Sequence, residues 1–146
     1  MTNKWKHAAL ALYCACWAGV VIGVSFIATV AKFSAPTLTR PVALDVGRHT
    51  FAALARIEWG LAVVLVLAIA YAGMNRFRAV MLFLIAALLA AETLWLYPLL
   101  SARTELVLAN QPLPPSSVHM FSVSAESAKV LLLSLFALVE SKAIRG

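Results

Sequence analysis

The sequence predicts an all-α protein, built as a bundle of four transmembrane helices. Hydrophobic residues make up 63% of the chain and charged residues only 12%, and the mean hydropathy is +0.92. Four apolar runs each reach the roughly 20 residues that a helix needs to cross a bilayer. Because backbone groups in lipid must pair internally, we expect these runs to form helices that pack together. They leave no room for a soluble domain, so residues 1–146 are predicted to form a single integral membrane domain.

The bounds of the helices follow from the apolar runs and from the residues that interrupt them. The helices are predicted at residues 8–32, 49–73, 79–100 and 118–141. The first run is too long to be the core of a cleavable signal peptide. Pro98 is expected to loosen the last turn of the third helix, and the proline-rich linker at 110–117 separates that helix from the fourth. Residues 33–46 contain two prolines and are predicted to form a compact loop, with a re-entrant or surface-lying segment as the alternative.

Small residues occupy one face of the first predicted helix. Ala15, Gly19 and Gly23 recur every four residues, a spacing that lets another helix approach closely. We expect that neighbour to belong to the same bundle, with another protomer as the alternative. Cys14 and Cys16 lie about 200° apart around the helix, so they are predicted to be packing residues rather than a disulfide or a metal-binding pair.

Basic residues concentrate at the predicted helix ends and set the expected orientation. The net charge of +6 is spread thinly there, as in proteins anchored in anionic lipid, so we expect contact with the bilayer and no nucleic-acid binding. The side with both termini carries Lys4, Lys6, Arg76, Arg78, Lys142 and Arg145. The other side carries Lys32, Arg40, Arg48 and Arg103. The positive-inside rule therefore favours both termini in the cytoplasm.

Aromatic residues also mark the predicted membrane interfaces. The residues that fall there are Trp5, Tyr71, Phe77, Trp95 and Tyr97. Aromatic belts are typical of these positions, so these side chains are predicted to lie at the headgroup level.

Ionisable residues inside the predicted spans are the strongest indication of function. Arg56, Glu58, Glu92, Glu126 and Lys129 all lie within apolar runs, where an unpaired charge costs at least a few kcal/mol. At about 1.5 Å per residue, Arg56, Glu92 and Glu126 reach similar depths, each ~12 Å from the end of its span. We therefore expect ion pairs of Arg56 with Glu92, and of Lys129 with Glu126 or Glu58.

The fourth span carries a continuous polar stripe. His119, Ser122, Glu126 and Lys129 recur at i, i+3, i+7 and i+10, which is one face of a helix. Such a face is disfavoured in lipid, so it is expected to face the bundle interior or a wet cavity. Together the polar groups predict a pocket open to the non-cytoplasmic side. Its predicted members are Arg56, Glu58, Glu92, His119, Ser122, Glu126 and Lys129.

Two other predicted helices carry polar faces that we expect to border the same pocket. One face consists of His49, Ala53, Arg56 and Trp59 in the second helix, and the other of Ser25, Thr29 and Lys32 in the first.

Three interpretations of these polar groups remain open. In the first, the charged side chains form ion pairs that fix how the helices pack. In the second, they form a binding or transport pocket for a small solute or ion. Alternatively, His49 and His119 join Glu92 and Glu126 in a divalent transition-metal site, a ligand set that such metals accept. The sequence contains no nucleophile elbow, phosphate-binding glycine loop or H-E-x-x-H motif, so we expect neither enzymatic activity nor a cofactor.

Three segments resemble an uncharacterised bacterial family of four-helix membrane proteins. That family is similar to the transmembrane-protein-205-like group and, more remotely, to the membrane domain of CopD-type copper-resistance proteins. The segments are Phe33 to Leu38 followed by Gly47 and Phe51, Leu94 to Arg103, and Pro112 to His119 followed by Glu126 and Lys129.

The resemblance implies the same four-helix fold in a bacterial inner (cytoplasmic) membrane. It also implies that His119, Glu126 and Lys129 match the family pattern, and it suggests handling of toxic metal compounds, drugs or copper. The chain lacks the Met-rich or Cys-rich clusters expected of a copper protein.

The leading hypothesis is binding or transport of a small solute or ion. Four helices leave little room for alternating access, so a homo-oligomer or a membrane-protein partner is expected. The alternatives are a non-transporting accessory or assembly subunit and metal handling.

Overall fold

The protein is a bundle of four long helices. The computed structural model describes residues 4–145, and this part of the chain is helical without any strand. The helices are α1 (Lys4–Ser34), α2 (Arg40–Ala72), α3 (Arg76–Leu108) and α4 (Val118–Arg145). All four are long and apolar enough to cross a membrane, so the predicted fold class is confirmed. Residues 1–3 and 146 of the predicted domain lie outside the described residues.

The helices are longer than predicted, and the difference is largest around two prolines. α2 begins at Arg40 rather than near residue 49, so the compact loop predicted at 33–46 is wrong for most of its length. Pro41 occupies the first turn of α2, where a helix needs no backbone N–H and tolerates proline. α3 likewise continues through Pro98 to Leu108 rather than ending at residue 100.

Each of α1 and α3 contains a π-helical stretch, which the periodicity of the sequence did not indicate. These stretches are Ile22–Ala28 in α1 and Glu92–Leu96 in α3. The second one ends two residues before Pro98, whose ring and missing N–H disturb the preceding helical turn. The loosening expected from Pro98 therefore lies on its N-terminal side. π-helical turns are frequent at functional sites, and both lie toward the end of the bundle opposite the termini.

The inner core fills the half of the bundle nearer the termini. α1 packs along α4, α1 also contacts α2, and α4 contacts α3. Because lipid is as apolar as these side chains, close packing rather than exclusion from water holds this core together. Its fully buried members include Leu10, Cys14, Trp17, Leu65, Ile69, Ile85, Leu89, Leu133 and Phe136. Cys14 packs there as a free thiol, while Cys16 is exposed.

The small-residue face of α1 has no neighbouring helix among the described residues. A Cβ atom added at Gly19 or at Gly23 would meet nothing within 4 Å. The inward face of α1 is instead formed by Trp17 and its buried neighbours, and Gly19 lies about 200° around the helix from Trp17. The expected packing of this face within the bundle is therefore wrong.

A buried ion network links three helices at the end that holds the termini. The guanidinium of Arg78 donates two hydrogen bonds of 2.8 Å, one to each carboxylate oxygen of Glu140. His7 Nδ1 lies 2.6 Å from Glu140 Oε2, and the side chains of Arg78 and Glu140 are each only 3% exposed. Arg78, predicted to be a basic residue at a helix end on the side of both termini, is thus part of the interior. The network joins α1, α3 and α4.

Candidate functional site

Lys129 lies at the centre of a buried cluster of charged residues. Its ammonium donates hydrogen bonds to Glu58 Oε2 at 2.9 Å and to Glu92 Oε2 at 2.6 Å. Glu126 Oε2 lies 3.3 Å from the same nitrogen, close enough for Coulombic attraction but outside hydrogen-bond geometry. The side chains of Lys129, Glu58 and Glu92 are completely buried, and that of Glu126 is 3% exposed. The cluster therefore joins α2, α3 and α4 in the interior.

Two aromatic side chains complete this cluster by donating hydrogen bonds to its carboxylates. Trp17 Nε1 donates to Glu58 Oε1 at 3.0 Å, and the Tyr97 hydroxyl donates to Glu126 Oε1 at 2.9 Å. Trp17 brings α1 into the arrangement, so all four helices contribute a side chain. We call the six residues the Lys129 cluster: Trp17, Glu58, Glu92, Tyr97, Glu126 and Lys129.

The Lys129 cluster contains more acidic than basic groups. With all four groups ionised, the three carboxylates and one ammonium would carry a net charge of −2 (three negative, one positive). In addition, Glu92 Oε1 and Glu126 Oε2 are buried without a hydrogen-bond partner. The attraction of the Lys129 ammonium offsets part of the desolvation penalty of these oxygens, but neither oxygen accepts a hydrogen bond from a described residue. The cluster therefore has the capacity to take up a proton or a cation.

The predicted ion pairs of Lys129 are present, but the predicted pair of Arg56 with Glu92 is wrong. Arg56 is exposed and makes no ion pair or side-chain hydrogen bond with any described residue. It precedes Glu58 by two residues, which places the two side chains about 200° apart around α2. Since Glu58 faces the Lys129 cluster, Arg56 faces away from that cluster. Glu92 pairs with Lys129 instead.

A cavity of about 920 Å³ opens at the end of the bundle opposite the termini. Its wall includes four predicted pocket residues: Arg56, His119, Ser122 and Glu126. The other three, Glu58, Glu92 and Lys129, do not line it and lie beneath its floor. Glu126 and Tyr97 belong to both the cavity wall and the Lys129 cluster. These two residues therefore connect the cavity to the buried charges.

The predicted polar faces meet different surroundings in the structure. In α4, Ser122, Glu126 and Lys129 are buried as expected, whereas His119 is exposed at the cavity wall. The predicted face of α2 is exposed, and three of its four members line the cavity as expected: His49, Arg56 and Trp59 do so, and Ala53 does not. The interior side of α2 is formed by Leu54, Ala55, Glu58 and Ala62. Ser25, Thr29 and Lys32 of α1 line the cavity.

The metal site predicted from His49 and His119 is not formed among residues 4–145. Neither histidine belongs to a group of three or more potential ligands close enough to share an ion. The side chain of His49 is 72% exposed, and His119 lies ~10 Å along α4 from Glu126. The carboxylates of Glu58, Glu92 and Glu126 do converge, with oxygens within 4.8 Å of one another. However, the Lys129 ammonium already occupies the position between them.

The indole of Trp17 is expected to stabilise the Lys129 cluster measurably. Replacing Trp17 with phenylalanine keeps most of the buried ring but leaves Glu58 Oε1 without its donor. We expect the free energy of unfolding in detergent to fall by about 1.5–3 kcal/mol, the usual contribution of a hydrogen bond to a charged group. Trp95→Phe is the control, since Trp95 is 55% exposed and should tolerate the change. Equal losses in the two variants would contradict this role of the indole.

Sequence comparison identifies the family of the chain. A family model with the description "Domain of unknown function (DUF4149)" matches residues 12–106. This range includes Trp17, Glu58, Glu92 and Tyr97 of the Lys129 cluster and ends before α4. No curated protein and no solved structure matches the chain. Because the match covers more than half of the sequence, the protein belongs to the DUF4149 family.

Proposed function

We propose that this membrane protein binds a small solute or ion in its cavity and exchanges a proton or a cation between that cavity and the Lys129 cluster. The position of Glu126 carries the proposal. This residue lines the cavity, yet one of its oxygens lies 3.3 Å from the buried ammonium of Lys129. A species that enters the cavity thus meets a carboxylate whose charge is coupled to the cluster.

The charge balance of the Lys129 cluster gives a physical reason for such exchange. If all four ionisable groups were charged, their net charge of −2 in a water-poor interior would cost several kcal/mol unless protons or cations compensated it. The open cavity supplies the route along which they arrive. Two unpartnered oxygens, one on Glu92 and one on Glu126, are available to accept them. The cluster would then bind the compensating protons or cations at the floor of the cavity.

One-sided access supports binding, or one step of a transport cycle. Below the cluster, Leu65, Ile69, Ile85, Leu133 and Phe136 are completely buried and close the inner half of the bundle. With both termini on the cytoplasmic side of a bacterial inner membrane, the cavity would open to the opposite side. For an ion to cross the bilayer this apolar core must also open, within one chain or with the help of a second copy or a partner, and we include that opening in the proposal.

Charge exchange through Glu126 can be measured in liposomes that contain a pH-sensitive dye. We expect the wild-type protein to pass protons down an imposed gradient and Glu126→Gln to slow this flux by about tenfold or more. Removing the charge alters a buried interaction by at least the roughly 1.4 kcal/mol that a tenfold effect represents. Glu105→Gln is the matched control, because Glu105 is an exposed carboxylate toward the same end of the bundle. Equal flux in all proteins and in empty liposomes, with either protons or sodium as the ion, would contradict the proposal.

A second candidate function is that of an accessory or assembly subunit. The open space beside Gly19 and Gly23 favours it, since this small-residue face would admit a helix of another protein or a second copy. A stoichiometric partner after gentle purification, together with no effect of Glu126→Gln on flux, would support this alternative. Mutations at Gly19 or Gly23 would then change the size of the complex measured by size-exclusion chromatography.

Handling of a metal, suggested by the resemblance to CopD-type proteins, has weaker support. The converging carboxylates of Glu58, Glu92 and Glu126 offer only oxygen ligands, which suit hard cations such as Mg²⁺, Ca²⁺ or Mn²⁺ better than copper. A metal ion would also have to displace the Lys129 ammonium.

A further inference from the structure

The cavity extends along the bundle from the level of Leu44 to the level of Trp59 in α2. Along α2 its wall runs from Trp59 to Leu44, which corresponds to ~22 Å. Much of this wall is apolar or aromatic and includes Phe26, Val30 and Phe51. Such a length and lining have room for a longer, partly apolar ligand as well as for an ion.

Lys32 places an uncompensated positive charge toward the outer end of this wall. Its ammonium lies against Gly47, so close that a Cβ atom at residue 47 would be only 2.5 Å away. The ammonium lies 5.0 Å from the ring centroid of Phe33, and it makes no hydrogen bond or ion pair with any described residue. Gly47 thus provides the space that lets a half-buried cation face the cavity.

The other cations of the cavity wall differ from Lys32. Arg48 is compensated by two acidic residues, since its guanidinium lies 2.7 Å from Asp45 Oδ1 and 3.2 Å from Glu105 Oε1. Arg56 lies deeper, at about the depth of Glu126. Lys32 is therefore the cation best placed to bind an anion near the cavity mouth.

The depth of Lys32 matches the headgroup region of a bilayer. The turn after Ala72 contains Asn75 and leads to Arg76, and Gly47 lies ~37 Å along α2 from Ala72. With the inner edge of a hydrocarbon core about 30 Å thick placed at this turn, the Lys32 ammonium lies beyond the outer edge. Trp59, ~20 Å from Ala72, lies inside the core. The cavity thus connects a cation at the headgroup level to an aromatic wall at the acyl-chain level.

We propose that the cavity binds an anionic amphiphile, with its carboxylate or phosphate on Lys32 and its apolar chain along the wall that ends at Trp59. This inference rests on the proposed binding role of the cavity and names the class of ligand. Gly47 lies ~16 Å along α2 from Glu58, so the anionic group stays far from the acidic Lys129 cluster. Two sources share the required chemistry: an anionic phospholipid of the bilayer and a free fatty acid.

Trp59 makes this binding measurable, because brominated acyl chains quench tryptophan fluorescence on contact. The full-length protein is placed in phosphatidylcholine nanodiscs that contain a brominated phosphatidylglycerol, a brominated fatty acid or, as the neutral comparison, a brominated phosphatidylcholine. The signal of Trp59 is obtained by subtracting that of Trp59→Phe. We expect at least one anionic quencher to reach half-maximal quenching of Trp59 at about tenfold lower mole fraction than the zwitterionic one. A charge-assisted hydrogen bond to Lys32 would provide this difference in affinity. The quencher that does so identifies the source.

Variants of the mouth of the cavity separate specific binding from general attraction. Lys32→Gln is expected to remove the anionic preference, and Gly47→Ala, which displaces the ammonium without removing it, to weaken the preference. Arg40→Gln removes an exposed charge toward the same end without touching the cavity wall, so it should keep the preference. Equal quenching by all three lipids, or equal loss in Lys32→Gln and Arg40→Gln, would overturn the inference.

The two proposals fail in distinguishable ways. Ion flux that depends on Glu126, without any anionic preference at Trp59, would overturn the ligand class and leave the proposed function standing. An anionic preference without ion flux would overturn charge exchange and leave a lipid-binding cavity.

Discussion

Lys129→Met is expected to lower the free energy of unfolding by about 3–5 kcal/mol, the usual cost of removing one partner from a buried ion pair. Methionine fits the space of the lysine stem but leaves Glu58, Glu92 and Glu126 without their shared cation. The three carboxylates would then repel one another in a medium of low dielectric constant. Thermal and denaturant unfolding in a maltoside detergent, followed by circular dichroism, would measure the loss.

Two further variants test whether charge, rather than packing, causes this loss. Lys142→Met removes an exposed lysine of the same helix and should change stability by less than about 0.5 kcal/mol. Adding Glu58→Gln and Glu92→Gln to Lys129→Met removes most of the repulsion and should restore much of the stability. A triple variant as unstable as Lys129→Met alone would show that the lysine stem acts by packing.

Glu140→Gln is expected to have the second-largest effect, a loss of about 3 kcal/mol or more. Glutamine keeps the shape of the side chain but cancels the charge that balances the buried Arg78 guanidinium. It also weakens the contact with His7 that joins α1 to this network. The loss should appear as a lower midpoint of denaturant unfolding with an unchanged slope, which indicates a change of stability alone.

A double-mutant cycle would assign this effect to the pair of residues. Arg78→Met and Glu140→Met are each expected to be severe, whereas the double variant should be more stable than the sum of the two losses predicts. Additive losses would mean that the two side chains act independently, contrary to their bidentate contact. Glu105→Gln, at an exposed carboxylate, sets the baseline.

The sequence predicted the fold well because apolar runs of membrane length allow few other structures. It also predicted that Lys129 would meet Glu126, three residues earlier on the same helix, or Glu58. Arg56 was placed wrongly because depth along a helix says nothing about rotation around its axis. Only the packing of α2 decides that residue 58, rather than residue 56, faces inward.

The remaining members of the two buried networks gave no distinctive signal in the sequence. Trp17 and Tyr97 act as hydrogen-bond donors in the interior, yet on an apolar background they look like ordinary packing or interfacial aromatics. Arg78 resembles any basic residue after a turn until α4 brings Glu140 to it. Such partners are far apart in the chain, so the periodicity of a single helix does not reveal them.

The π-helical turn of α3 changes which residues of that helix act together. Glu92 and Tyr97 are five residues apart, a separation that leaves two side chains about 140° apart on a regular α-helix. In this chain Glu92 contacts Lys129 and Tyr97 contacts Glu126, two residues on one face of α4. The wider turn brings both side chains toward the same neighbour. The π-helical geometry of this turn, and not only the identity of its residues, therefore lets Glu92 and Tyr97 both contact α4 at the floor of the cavity.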